Sequence, residues 1–346
     1  MQELTLEDIA KQAGVSRSTV SRVINGHPNV SPEVRKRVLK VIQTTGFHPN
    51  AAARSLASQR TNMIGLVLPR SVSSFFTDPY FPILAQGIAF GCNNHNLTFS
   101  LFLVGNKEDE EKITPRISRR GLLDGLLIQV GSPGDELIER LSKASIPSVI
   151  LGRPSPAEGI SYIDVDNVQA AFMATRHLIN TGYQRIATIT GSRDSTASLD
   201  RLEGYTRALH QANRGVDPAL VGDGDFTEVS GYTAMKALLP AEPDAVFSAS
   251  DIMAVGAIRA IQEAGLRIPQ DIAIVGFDDV PLGARSTLQL TTIRQPILKF
   301  GIKAVELLLD VIENGAKPTR RLILDTELVI RDSCGARKLE AVSVER

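Results

Sequence analysis

The chain has no tryptophan, two cysteines, five histidines and a formal net charge of zero over 346 residues. Each scarcity excludes something. Cys92 and Cys334 are far apart and offer neither a disulfide framework nor a metal-ligand spacing, and the histidines are scattered, so no metal is expected. No apolar run approaches the ~18 residues that would span a bilayer, and the N-terminus lacks the basic-then-apolar pattern of a leader. A cytoplasmic protein with no membrane partner is therefore expected. G-x-G-x-x-G, a Walker phosphate loop and G-x-S-x-G are all missing, which removes the local signatures of dinucleotide, nucleotide and hydrolase chemistry. No cofactor and no enzymatic activity are expected. Asp278 and Asp279 could suggest acid-base work, but adjacent carboxylates at a strand end read more readily as ligand acceptors or helix caps.

What is present is unevenly distributed. Residues up to Arg60 hold nine lysines and arginines against four acids, and the remainder is slightly acidic. Such asymmetry is the footprint of a nucleic-acid-binding end on a non-binding body. Within that end, LEDIAKQAGVSRSTVSRVIN (6–25) reads as two short helices around a glycine turn. Thr5 and Asp8 have capping-box spacing, while Leu6, Ile9, Ala10 and Ala13 share a face. Gly14 supplies the left-handed turn and Ser16 the next N-cap. In the second helix Val20, Val23 and Ile24 form the buried stripe. Arg17, Ser18, Ser21, Arg22 and Asn25 lie opposite, a short polar and cationic face suited to the major groove. A third helix starts at Ser31-Pro32, ends at Gly46, and leaves Phe47 to plug the small core. The following NAAARSLAS (50–58) spans about two helical turns, too short to be stable without a partner packed on it.

From Met63 the pattern alternates. MIGLVLP, TFSLFLV, GLLIQV and SVILG are strand-like, separated by helices expected near Tyr80, Lys107 and Asp135. A second set has strands RIATIT, AVFSAS and IAIVGF, with helices near Asn167, Arg201, Ser230, Asp251 and Pro296. Alternation of this kind makes parallel sheets covered on both faces, and two such lobes leave a cleft at the carboxyl ends of their strands, where ligands bind.

TLEDIAKQAGVSRSTVSRVIN, VSPEVRKRV and GFHPNAAARSLAS resemble, without gaps, the headpiece and hinge of the LacI/GalR family of transcriptional repressors. DPYFPILAQGI, YIDVDN, DRLEGY, SDIMAVGAIRAI, DIAIVGFDD and LTTIRQP resemble its later signatures in the same order. The implied fold is α/β: a helix-turn-helix headpiece (1–48), a hinge helix or linker (49–60), a two-lobed periplasmic-binding-protein-like core (61–335) and a short tail (336–346). The resemblance implies a homodimer on a pseudo-palindromic double-stranded operator, with operator affinity modulated by a small effector, expected to be a sugar. It makes Arg17 and Ser18 the base-selecting positions and Arg22 a base or backbone contact. Thr5, Ser16, Thr19, Ser21 and Asn25 join them as phosphate contacts or helix-end supports. Asn50, Ala53, Arg54 and Leu56 belong to the hinge, with Leu56 the wedge between base pairs and Ala53 small enough for close approach of two hinges.

For the effector, the resemblance implies Asp78, Phe81, Arg201, Phe226 and Asp278. Charged acceptors, a bidentate donor and an aromatic surface are what vicinal hydroxyls and an apolar sugar face require. Two departures stand out. Ser250 replaces an asparagine of many members, and Gly152-Arg153 replaces a carboxylate some use to grip sugar, so Arg153 and Ser250 are expected at the cleft in altered roles. An arginine-bearing cleft would also suit a nucleoside or a phosphorylated metabolite.

Overall fold

In the computed structural model Thr5 opens the first helix, α1 (Leu6–Ala13), through a complete capping box: its hydroxyl accepts from the Asp8 amide while the Asp8 carboxylate accepts from the Thr5 amide. Gly14 closes α1 at φ 61°, where a side chain would be strained. The chain re-enters helix as α2 (Arg17–Ile24), and α3 (Pro32–Thr45) runs from a Ser31 cap to Gly46. Ile9, Ala10, Ala13, Val20, Val23, Val38 and Phe47 form the core of this unit. So small an apolar cluster makes a marginal domain, in which each cap carries weight.

The structure describes residues 4–24, 27–47, 60–119, 121–129, 140–141, 146–155, 159–282 and 288–336, which divide into two compact units, Met1–Thr61 and Asn62–Arg346. Asn25 and the expected hinge residues Asn50, Ala53, Arg54 and Leu56 lie outside them, as does most of the helix expected from Asp135.

The second unit begins with β1 (Met63–Leu68), α4 (Val72–Thr77), α5 (Tyr80–Asn94), β2 (Thr98–Leu103), α6 (Lys107–Ile117), β3 (Gly125–Gln129), β4 (Ser148–Leu151) and β5 (Tyr162–Val165). It continues with α7 (Asn167–Thr181), β6 (Ile186–Ile189), α8 (Thr196–Gln211), β7 (Val221–Gly222), α9 (Glu228–Leu238), β8 (Ala245–Ser248) and α10 (Asp251–Glu263). β9 (Ala273–Asp278), β10 (Thr291–Arg294), α11 (Ile297–Asn314), β11 (Arg321–Leu324) and β12 (Glu327–Val329) complete it. Two six-stranded sheets result, in the orders β11-β5-β4-β3-β1-β2 and β12-β10-β9-β8-β6-β7. Every described pairing is parallel except β10 with β12. The central strands β3, β6, β8 and β9 are almost continuously buried, as sheets covered on both faces require.

One expectation is corrected. The helix expected near Pro296 reads in sequence as part of the second lobe, yet α11 packs in the first, against α5, β3, β4 and β5. Its stripe Phe300, Ala304, Val305, Leu308 and Val311 joins the first-lobe core. The fit depends on small residues: a Cβ on Gly87 would lie 2.3 Å from the Leu298 carbonyl oxygen, and one on Gly301 2.6 Å from that of Leu84. The chain thus crosses between lobes three times: after β5, after β10 and after β11. Three crossings, and not one linker, join the lobes, an arrangement suited to hinge closure around a ligand.

Candidate DNA-reading face and effector cleft

On the first unit, α2 is held by its apolar side. Val20 and Val23 are buried, whereas Arg17, Ser18 and Arg22 are exposed and Ser21 is half-buried. The Ser16 hydroxyl accepts from the Thr19 amide at 3.2 Å and is 2.8 Å from both the Ser18 and Thr19 hydroxyls. The side chains at the start of the helix are therefore already ordered. Arg17 Nε lies 3.1 Å from Glu7 Oε1 on α1. Thr5 serves the cap described above, at an exposed position. An ordered, polar, cationic helix face of this kind can bond base edges and phosphates.

The second unit gathers its chemistry at the carboxyl ends of its strands. Arg201, on α8, is buried; its Nε donates to Asn167 Oδ1 at 2.9 Å, Nη1 donates to the Ala249 carbonyl at 2.5 Å, and its guanidinium lies 3.6 Å from the Phe277 ring centre. Nη1 is also 3.9 Å from Asp278 Oδ1. Asp278 ends β9 at φ 120°, a conformation unfavourable to a residue with a Cβ, and its Oδ1 accepts from Gln295 Nε2 at 2.6 Å. Burial pushes its carboxyl up to about 7, against the pull of the Arg201 charge. Neighbouring Asp251 is fully buried and raised well above the ordinary range by burial and by the Asp278 charge. Its carboxylate accepts from the Thr292 hydroxyl at 2.6 Å and the Val280 amide at 3.0 Å. Phe226, at φ 69°, covers the backbone of Gly191 so closely that a Cβ there would fall 2.0 Å from the ring.

The first lobe contributes from the opposite side. Tyr80, at the start of α5, has its phenol raised by burial and by Asp278 and Asp164, so groups from both lobes act on one hydroxyl. The Asp78 carboxylate accepts from the Tyr80 amide at 3.0 Å. Phe81 is buried in the first-lobe core, and the Arg70 guanidinium lies 4.5 Å from its ring centre. Burial lowers the Arg70 pKa, while Asp78 and Asp225 oppose that shift. Arg153 directs its fork across the cleft onto Asp200 of α8, at 3.2 Å from Nε and 2.5 Å from Nη2. Its carbonyl accepts from the Thr196 hydroxyl at 2.7 Å, and its amide donates to Asp164 at 2.8 Å. Asp164 is buried and raised by that burial to about 6. Ser250 caps α10, its hydroxyl accepting from the Met253 amide at 3.2 Å.

Arg201, Phe226 and Asp278 are thus together, with Asp78 electrostatically linked to Asp278. Phe81 stands inside the first-lobe core, Arg153 bridges the lobes, and Ser250 supports a helix end. Arg70, Tyr80, Gln129, Asp164, Thr190 and Asp200 were not among the site residues expected from the sequence. Most follow a strand or start the next helix, and the strand-end rule for α/β folds would have selected them. Gln129 ends β3 and Thr190 follows β6; Gln129 Oε1 and Thr190 Oγ1 are buried with no hydrogen-bond partner among the described residues.

The fold and these sites define a two-lobed ligand-binding body joined in one chain to a helix-turn-helix unit. Residues 5–50 match the family described as bacterial regulatory proteins, lacI family, and residues 175–334 the periplasmic binding protein-like domain. The HTH-type transcriptional regulator CelR of Thermobifida fusca is 38% identical over 333 residues, covering 95% of this chain and 98% of the relative. A solved CelR-cellobiose complex superposes with a TM-score of 0.76 at 36% identity, over 95% of this chain and 99% of its own. The lac repressor dimer bound to operator and the anti-inducer ONPF does so at 0.81 and 27% identity, over 96% and 99%. This chain belongs to the lacI family and is a DNA-binding transcriptional regulator.

Proposed function

We propose that this protein is a cytoplasmic repressor, acting as a homodimer on a pseudo-palindromic operator and released or engaged by an uncharged carbohydrate bound between its lobes. It is read as a regulator without enzymatic turnover. The observation that carries the effector class is the charge inventory of the cleft. Arg201 faces Asp278, Arg153 binds Asp200, and Arg70 faces Asp78 and Asp225. Buried Asp164 and Asp251 add further acid. Among the described residues each of these arginines already faces a carboxylate, so a phosphate would have to compete with that carboxylate for it. Hydroxyl groups suit the same cleft: carboxylates accept from them, arginine donates to them, and Phe226 offers an apolar face. The unpartnered oxygens of Gln129 and Thr190 support this reading, because a polyhydroxylated ligand would satisfy one on each side.

Two lobes closing on such a ligand would couple to DNA through the dimer, at a typical ~1 to 3 kcal/mol or 5- to 150-fold in affinity. The reading is tested by a thermal-shift screen of full-length protein against neutral mono- and disaccharides, sugar phosphates and nucleosides, followed by operator binding with each hit. A ligand at 100 times its Kd stabilises by about 2.7 kcal/mol. A neutral saccharide is expected to raise the melting temperature and change operator affinity. Stabilisation by phosphorylated compounds or nucleosides alone would overturn the assignment.

A further inference from the structure

Glu7 stands out on the first unit, where nine cations up to Arg60 oppose only four acids. An acid on a DNA-binding unit repels phosphate and weakens non-sequence-specific binding, so its position calls for a reason. The register of α1 puts Ile9, Ala10 and Ala13 inward and leaves Glu7 exposed. Gly14 turns the chain between the helices, and the shared core of Ile9, Ala10, Ala13, Val20 and Val23 sets α1 against α2. Across that short turn Glu7 Oε1 meets Arg17 Nε at 3.1 Å, with both side chains otherwise largely open, at 60% and 68%. A guanidinium is a planar fork, so a carboxylate beside Nε biases its orientation electrostatically and leaves the edge formed by the two Nη groups for another acceptor. A donor pair of this kind suits bidentate bonding to guanine O6 and N7.

We propose that Glu7 is a positioning residue that determines specificity, orienting Arg17 for base reading without itself touching a base. This rests on the reading of Arg17 as a base-selecting side chain. In free protein an exposed pair of this kind contributes little to stability. In a groove from which water is excluded the same contact strengthens, so its effect appears in discrimination between sequences.

The test uses full-length protein and an operator selected from a randomised duplex library, with every single base-pair variant measured by fluorescence anisotropy at one salt concentration. Wild type, Glu7→Ala, Arg17→Ala and the double variant are compared, and thermal melting monitors folding. Arg17→Ala is expected to flatten preference at one base pair. Glu7→Ala should lose roughly three- to tenfold of discrimination at that same pair, a fraction of what a good bidentate contact supplies. Preferences elsewhere and the melting temperature should hold, binding to unrelated duplex should rise, and Glu7→Ala should change nothing further once Arg17 is gone. If Arg17→Ala flattens the profile and Glu7→Ala leaves it as in wild type, or weakens all sites equally with a lower melting temperature, the positioning role is overturned. If Arg17→Ala itself leaves the profile intact, the base-reading assignment fails first and the role of Glu7 with it.

Discussion

Replacing Asp278 by asparagine should remove a defined part of the pH dependence of stability. Burial raises its carboxyl from 3.8 to about 7, so the folded protein holds a proton that the unfolded chain has lost. For an acid raised in this way the contribution to stability is complete below pH 3.8 and is lost as pH rises through 7. Between pH 6 and 8 the unfolded group is ionised throughout while the folded one gives up its proton, a loss on the order of 1 kcal/mol. For a body of this size that corresponds to roughly 2 °C in Tm. Asparagine keeps an oxygen for the Gln295 amide, now at 2.6 Å, but does not titrate. It also removes the like charge that helps raise Asp251, which flattens the profile further. The measurement is differential scanning calorimetry of wild type and Asp278→Asn at pH 6, 7 and 8 and constant ionic strength. The variant should show the shallower fall in Tm, with the residual slope due to Asp164 and Asp251. Parallel pH profiles for the two proteins would refute the argument.

Arg153 and Asp200 join the lobes through a two-point ion pair whose side chains are 39% and 17% exposed. Discounted for that exposure, a coupling of about 1 kcal/mol is expected. Arg153→Ala or Asp200→Ala should weaken binding of the saccharide from the screen roughly fivefold, with no further loss in the double variant; additive losses measured by calorimetry would separate the two residues. Gly191→Ala would place a Cβ 2.0 Å from the Phe226 ring. Displacement of that ring should reduce saccharide binding at least tenfold, about 1.4 kcal/mol, and leave effector-free operator affinity unchanged, whereas unaltered saccharide binding would remove Phe226 from the site.

Short-range order was legible in the sequence because its causes lie within a few residues. Thr5 and Asp8 are three apart, Gly14 needs only its own backbone freedom, and Ser31 and Gly46 bound a helix by local hydrogen bonds. Alternation of apolar runs likewise made a pair of parallel sheets predictable. That Arg201, Phe226 and Asp278 would come together followed from resemblance, which carries positions from one member of a fold to another. Only the tertiary structure decided which lobe receives α11, because that depends on Gly87 and Gly301 letting two helices approach, and these residues are far apart in sequence. The same holds for the partners of charge. Arg153 finds Asp200 47 residues away, and Arg201 finds Asn167 and the Ala249 carbonyl 34 and 48 residues away. Sequence spacing determines which groups share a helix face. Long-range packing determines which charges meet, and with that whether an arginine remains available to a ligand or holds the lobes together.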